Sequence, residues 1–323
     1  MRRRHLVLAP FAATLAAPAL GQAQPAWPRK SVRIVVPFPA GGGADVAARN
    51  LAGHFQTAIK QTVVVDNKAG ADGVLAAQEV LRAGADGHTL FMATASSLSY
   101  VPNIRKVAPY DVLREFTPLT TFVTFTFFLF VHESVPGRTL AEMVAHVKGQ
   151  PGKYAYGAAN STGILAGAQL ATSAGLQMVR VPYKGEAQML PDLVAGRVQM
   201  AWVTPAVVPA LLKDNKARPL AVLLPERYRA MPEVPTLTEA GYPAVDIVPW
   251  GGFVVPANTP REMADVAARE LRAVMSNPDL VAQCDKVGLQ VRSSSADEFT
   301  GLLTGQLRAF GNAIKVAGLQ QEE

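Results

Sequence analysis

Val32-Arg33-Ile34-Val35-Val36-Pro37-Phe38-Pro39-Ala40-Gly41-Gly42-Gly43-Ala44-Asp45 is the stretch that decides how this chain folds. Val32 to Val36 is a short apolar run and reads as a buried strand. Pro37, Pro39 and three consecutive glycines exclude regular structure and make the next residues a loop. Beyond it Ala48, Leu51, Phe55 and Ile59 recur at spacings of three and four, which places them on one face of a helix. A strand that opens through a glycine loop into a helix is the first unit of an α/β fold.

Outward from that stretch the unit repeats. Thr62 to Val65 is a strand, Asp66 to Gly73 a polar glycine-containing loop, and Val74, Ala77, Val80 and Leu81 mark a helix. His88 to Ala93 is a third strand. The alternation predicts a mostly parallel sheet flanked by helices. It resumes after a long apolar stretch, Phe122 to Val131, with strands at Lys153–Tyr156, Met178–Val181, Val198–Val203 and Leu220–Leu224. Helices are expected at Leu140–Lys148, Gly163–Ala174, Ala187–Ala195 and Pro205–Leu212. A second apolar run, Ile247 to Val255, follows, then a helix beginning near Pro260 and two more. Two extended crossings predict two lobes joined by a hinge. Residues 24–123 with about 250–323 would form the first lobe, and about 124–249 the second.

The 323 residues, 49% of them hydrophobic, suffice for two cores, and 17% charged residues is an ordinary globular proportion. Three of the six net positive charges are Arg2, Arg3 and Arg4. Without the first 23 residues the balance is 28 basic against 25 acidic. No basic run interleaved with aromatics occurs later, so nucleic acid is not an expected partner. Residues 1–23 read as a signal peptide. Arg2–His5 is basic, Leu6–Leu20 apolar, and Ala19, Gly21 and Ala23 offer small residues for cleavage near 21–23. The apolar part holds two prolines and is too short for a membrane anchor. The basic pair Arg3-Arg4 fits twin-Arg export as well as the general route. The lone Cys284 forms neither an internal disulfide nor a thiolate metal cluster.

Pro37–Asp45 also carries chemistry. Its glycines leave backbone N–H groups unshielded, and the following helix start adds orphan donors at the positive end of its dipole. This makes either an anion site or a glycine-rich turn with no ligand. It matches neither G-x-G-x-x-G, since position 46 is Val, nor a phosphate loop. Asn67–Gly73 repeats the arrangement, with Asp72 either a helix cap or a ligand contact. Asn160-Ser161-Thr162-Gly163, Val181-Pro182-Tyr183-Lys184-Gly185 and Thr204-Pro205 complete five such turns. Ser161 and Thr162 either donate hydroxyls to a carboxylate or cap a helix. Catalytic patterns are poor. His54 and His88 read as structural, His132-Glu133 does not extend to H-E-x-x-H, and no serine stands in G-x-S-x-G. No carboxylate pair suggests glycoside hydrolysis, and no metal or cofactor site is expected.

At these loops the sequence resembles the Bug family, the substrate-binding components of tripartite tricarboxylate transporters. The resemblance rests on Trp27-Pro28, Ile34 to Asp45, Val65 to Gly73, Ala85-Asp86-Gly87-His88-Thr89-Leu90 and Pro109-Tyr110-Asp111. It continues through Phe116-Thr117-Pro118, Gly152 to Gly157, Val181 to Gly185, Met231 to Thr236, Glu239-Ala240-Gly241 and Val255 to Pro260, in family order over nearly the whole chain after the signal. The resemblance implies a periplasmic, two-lobed flytrap fold, monomeric and without cofactor or enzymatic activity. It implies a small carboxylate ligand (a mono- or dicarboxylate, an amino acid, or an aromatic or nicotinic acid) and delivery to membrane transporter subunits. A ligand sensor, or a hydrolase on the same architecture, is the alternative. Carried over by motif, the lobe-one contacts are Phe38, Ala40, Gly41, Gly42, Asp45 and Gly73. The lobe-two contacts are Ser161, Thr162, Tyr183 and Thr204. Gln199 stands where relatives carry an acid, Val203 follows the aromatic Trp202, and the serine-rich turn is shortened to Asn160–Gly163. These departures imply a less polar lobe-two face and an aromatic or apolar-tailed carboxylate.

Overall fold

The computed structural model describes residues 27–322 with the exception of residue 214. The signal-peptide reading of residues 1–23 lies outside them. The chain runs through β1 (Val32–Val36), α1 (Gly43–Ile59), β2 (Val63–Asn67), α2 (Val74–Arg82), β3 (Thr89–Thr94), α3 (Val101–Ile104), α4 (Val112–Glu115) and β4 (Phe116–Phe125). It crosses into β5 (Phe128–His132), α5 (Leu140–Lys148), β6 (Ala155–Ala158), α6 (Ser161–Ala174), β7 (Val179–Pro182), α7 (Glu186–Val194), β8 (Met200–Val203), α8 (Val208–Leu212) and β9 (Ala217–Val222). It returns through β10 (Trp250–Pro256), α9 (Arg261–Met275), α10 (Pro278–Asp285), β11 (Leu289–Val291) and α11 (Ala296–Val316). Among the described residues no helix is long and apolar enough to cross a membrane.

Each lobe is built on one sheet. The first has strand order β11-β4-β10-β3-β1-β2, the second β7-β6-β8-β5-β9. Parallel pairing, as the strand–helix alternation predicts, joins β1 to β2 and β3, and β6 to β7 and β8. The other neighbours are antiparallel, so both sheets are mixed. The reason is the route of the chain. It leaves the first sheet along β4 and comes back along β10, so these two strands lie side by side in opposite directions. β5 and β9 flank the second sheet's crossing in the same way.

The two apolar runs read as crossings are mostly strand. Only residues 126–127 separate β4 from β5, and all of β5 and β10 is buried. Strands covered on both faces are apolar throughout, which a sequence cannot distinguish from an extended crossing. The helices close over the sheets by their expected faces. α1 buries Ala48, Leu51 and Phe55, and α11 starts with a capping box between Ser295 and Glu298 and buries Phe299, Leu303 and Phe310. The wide π-type turn Ser96–Tyr100 that continues into α3 has no signature in its serine-rich sequence.

The lobes meet along a tight seam. The Ser96 and Ser161 hydroxyls lie 2.8 Å apart, and the Ser161 amide donates to Ser96 Oγ at 3.1 Å. Tyr228 OH donates to the Asp285 carbonyl at 3.1 Å. At several places on the seam, Gly43, Gly185 and Gly288 among them, only a glycine fits without adjustment. A Cβ on Gly43 would stand 3.0 Å from Thr204 of the second lobe, and one on Gly185 would stand 2.6 Å from Cδ of Pro39 in the first.

Candidate functional site

Strand order places the site. In the first sheet the chain leaves β1 for β2 on one side, while β3 lies on the other. In the second sheet β6 stands likewise between β7 and β8. Loops leaving the ends of strands that diverge this way open a crevice, the usual ligand position in α/β sheets. Here the two crevices face each other across the seam and enclose one cavity. It holds about 490 Å³ of empty space with its open mouth included. That is room for a small molecule in close contact with its walls.

The first lobe contributes Phe38, Pro39, Gly42, Gly43 and Ala44 from the end of β1 and the start of α1, and Thr94 and Ser96 from the end of β3. α1 starts at Gly42 without a side-chain cap, so its first-turn amides remain available at the positive end of the helix. The loop before it is held in place by Asp45. This buried carboxylate accepts from the Gly41 amide at 2.9 Å, from Asn67 Nδ2 at 2.9 Å and from Arg49 Nε at 2.9 Å. Asn67 Nδ2 also reaches the Phe38 carbonyl at 2.9 Å. Burial alone would push the Asp45 carboxyl up. The hydrogen bonds from Arg49, Gly41 and Asn67 outweigh burial and hold it below the usual carboxylate range.

The second lobe contributes Asn160 and Thr162 at the start of α6, Gly185 and Glu186 at the start of α7, and Thr204 after β8. Asn160 caps α6, its Oδ1 accepting from the Gly163 amide at 2.9 Å. The cap is thus neither Ser161 nor Thr162. The crossings supply apolar walls: Phe125, Phe127, Pro249 and Trp250. Among the described residues, Thr94 Oγ1 and Trp250 Nε1, on two side chains that line the cavity, have no hydrogen-bond partner.

Among the described residues Glu186 is the one ionisable side chain lining this cavity. It is buried and accepts from the Thr204 hydroxyl at 2.6 Å, the Thr204 amide at 3.3 Å and Asn160 Nδ2 at 3.4 Å. Burial pushes its carboxyl up to about 7, against the opposing pull of the Thr204 hydroxyl and amide.

The expected site residues are spread over several positions. Phe38, Gly42, Thr162 and Thr204 line the cavity. Asp45 and Ser161 lie just behind it, one clamping the loop and the other bonded across the seam. Ala40 and Gly41 lie on the exposed side of the loop. Gly73 packs beneath the loop, where a Cβ would meet Ser97 and Pro37. Tyr183 lines a second hollow on the far side of Phe38, with Asp72, Arg180 and Glu322, and donates to Asp192 at 2.6 Å. Gly73 and Tyr183 follow β2 and β7, the edge strands, whose loops lie away from the point where strand order reverses.

Two residues from which a less polar lobe-two face is expected do not form that face. Gln199 bonds to the Ala155 amide at 2.9 Å within the sheet, and Val203 is buried in the second core, so neither borders the cavity. The face carries a carboxyl instead, from Glu186. Sequence reasoning also missed Thr94, Ser96, Phe125, Phe127, Asn160 and Trp250. Asn160 lies within a quoted motif and Glu186 adjoins one, so both could have been flagged. The rest become neighbours only once the strand order is known.

Residues 47–319 match the family described as "Tripartite tricarboxylate transporter family receptor". Protein BugT of Bordetella pertussis is 30% identical over 330 residues, covering 98% of this chain and 98% of the relative. The solved structure of R. palustris Rpa4515 with adipate is similar at a TM-score of 0.87 and 29% identity, covering 91% of this chain and 99% of that one. The periplasmic binding protein BugD is similar at a TM-score of 0.86 and 26% identity, covering 92% and 100%. The resemblance read from the loops is borne out by these matches.

Proposed function

We infer, because this chain belongs to the tripartite tricarboxylate transporter receptor family, that it captures a small carboxylate between its lobes and hands it to membrane transporter subunits. The site of action is the periplasm, reached by export and removal of residues 1–23. The observation that carries the reading is the cavity between the uncapped start of α1 and the starts of α6 and α7, walled by Phe38, Phe125, Phe127 and Trp250. Helix starts favour an anion, and the aromatic walls favour an apolar body behind it. That Rpa4515, a structural relative, is known with adipate supports a carboxylate ligand.

In this reading the ligand carboxylate meets the amides of Gly42, Gly43 and Ala44, with Thr94 and Thr162 as further polar contacts and Phe38 against its body, while Thr204 gives its hydroxyl and amide to Glu186. Asp45 and Ser161 hold the geometry. Ala40, Gly41, Gly73 and Tyr183 shape the loops around it. Each lobe alone supplies half of the contacts, so ligand shifts a hinge equilibrium towards closure. The moving bodies are residues 24–123 with about 250–323, and about 124–249. Nothing in the chemistry of the cavity needs a reaction, and the ligand leaves unaltered.

The test is to unfold and refold the purified protein, which strips ligand, and to measure melting against a panel of aliphatic and aromatic carboxylates. A cognate ligand at 100 times its dissociation constant adds about 2.7 kcal/mol of stability and is recovered intact. No stabilisation by any carboxylate, or its conversion to a product, would contradict the reading.

A further inference from the structure

We propose that Glu186 sets the ligand class: the far end of the bound carboxylate carries a nitrogen donor, an ammonium or an amide N–H, that meets the Glu186 carboxyl, and a second carboxylate in that place is rejected. This rests on the reading of the cavity as a carboxylate receptor and specifies the other end of the ligand.

Three observations carry it. First, Glu186 is buried on the cavity wall, and among the described residues no Lys, Arg or His shares that wall. A buried carboxylate needs a partner of opposite charge or a full set of donors. Second, the donors are incomplete. A carboxylate offers about four acceptor places. Protein groups fill three, two of them at the long distances of 3.3 and 3.4 Å. Third, Glu186 is the first residue of α7, which starts at Gly185 without a side-chain cap. Glu186 thus stands at the start of that helix with its carboxyl turned to Thr204 and Asn160. A dicarboxylate would bring like charge against it, whereas a nitrogen donor would supply the missing partner. The remaining walls, Phe38, Phe125, Phe127 and Trp250, suit an apolar or aromatic body between the two ends.

The experiment uses pairs matched in length that differ at one end: 6-aminohexanoate against adipate, and 4-(aminomethyl)benzoate against terephthalate. Affinities are measured by calorimetry on ligand-stripped wild type and on Glu186→Gln at pH 8, above the value of about 7 to which burial raises the carboxyl. The amino member of at least one pair is expected to bind wild type tenfold or more tightly than its dicarboxylate. Glu186→Gln should shrink that ratio by tenfold or more. A wild-type preference for the dicarboxylate overturns the proposal without recourse to the variant. So does a ratio unchanged in a folded Glu186→Gln. Failure of every carboxylate, in these pairs and in the broader panel, removes the receptor reading itself. Equal binding within the pairs removes only the role of Glu186.

Discussion

Gly185→Ala is expected to lower affinity for the bound carboxylate about ten- to a hundredfold while leaving the ligand-free protein folded. Gly185 has an extended backbone (φ 176°), which alanine adopts without strain. Its new Cβ would stand 2.6 Å from Cδ and 3.0 Å from Cγ of Pro39, across the seam. A proline ring has no rotamer by which to withdraw, so the contact is relieved only by parting the lobes. Overpacking of this kind costs about 1–3 kcal/mol, and every 1.4 kcal/mol is tenfold in affinity. Gly185 also borders the cavity, so a loss could arise from the ligand side alone. Pro39→Ala separates the causes, because it removes Cδ and Cγ and leaves only Cβ at 3.8 Å. Titration of the four proteins forms a double-mutant cycle. The account predicts that Gly185→Ala/Pro39→Ala regains most of the loss. Unchanged affinity in Gly185→Ala would mean that the ligand is held without closure to this distance.

The second large effect is on stability. Burial raises the Glu186 carboxyl from about 4.5 in the unfolded chain to about 7 in the folded protein. Between these values the folded state holds a proton that the unfolded state has released. Stability therefore falls as pH rises through that window and levels off above it. The shift corresponds to about 3 kcal/mol at 1.36 kcal/mol for each unit. Glu186→Gln keeps the shape and an acceptor for Thr204 but cannot ionise. Denaturant unfolding of ligand-stripped protein at pH 4.5, 6, 7 and 8 should show the variant gaining on wild type by about 3 kcal/mol over the series. Most of the gain is expected below pH 7. Taking the difference between the two proteins cancels the other titrating groups. A difference independent of pH would mean that Glu186 ionises freely in the folded state, with water or a counter-ion beside it.

Both effects arise at residues whose importance is spatial, and this is where sequence reasoning stops. The first stretch was legible because its causes are local. Val32 and Ile34 to Val36 are apolar because they are buried in β1, with Arg33 half-buried between them, and Pro37 to Gly42 form the loop. The single-residue periodicity of α1 was equally plain. His88 was legible as structural, and it accepts from the Arg29 amide at 3.1 Å in the first lobe. The order β2-β1-β3 and its counterpart β7-β6-β8 are properties of the assembled sheets. Without them all five strand-to-helix turns look equivalent. With them the loops after β1, β3, β6 and β8 converge, and Gly73 and Tyr183 fall on the edge-strand side. Trp250 reaches the cavity because β10 returns next to β4, more than 120 positions later in the chain. Glu186 was hidden for a different reason. A glutamate at a helix start is ordinary on a surface, and only its burial gives it a role.

The central claim is that a carboxylate bridges the lobes at this cavity, and a crystal structure of the refolded protein with its tightest-binding carboxylate tests it most directly. The account predicts a ligand carboxyl oxygen about 3 Å from the first-turn amides of α1 at Gly43 and Ala44, its body against Phe38 and Trp250, and its far end at Glu186. A ligand seated instead in the hollow beside Tyr183 and Arg180, or on one lobe alone with those amides bonded elsewhere, would contradict it.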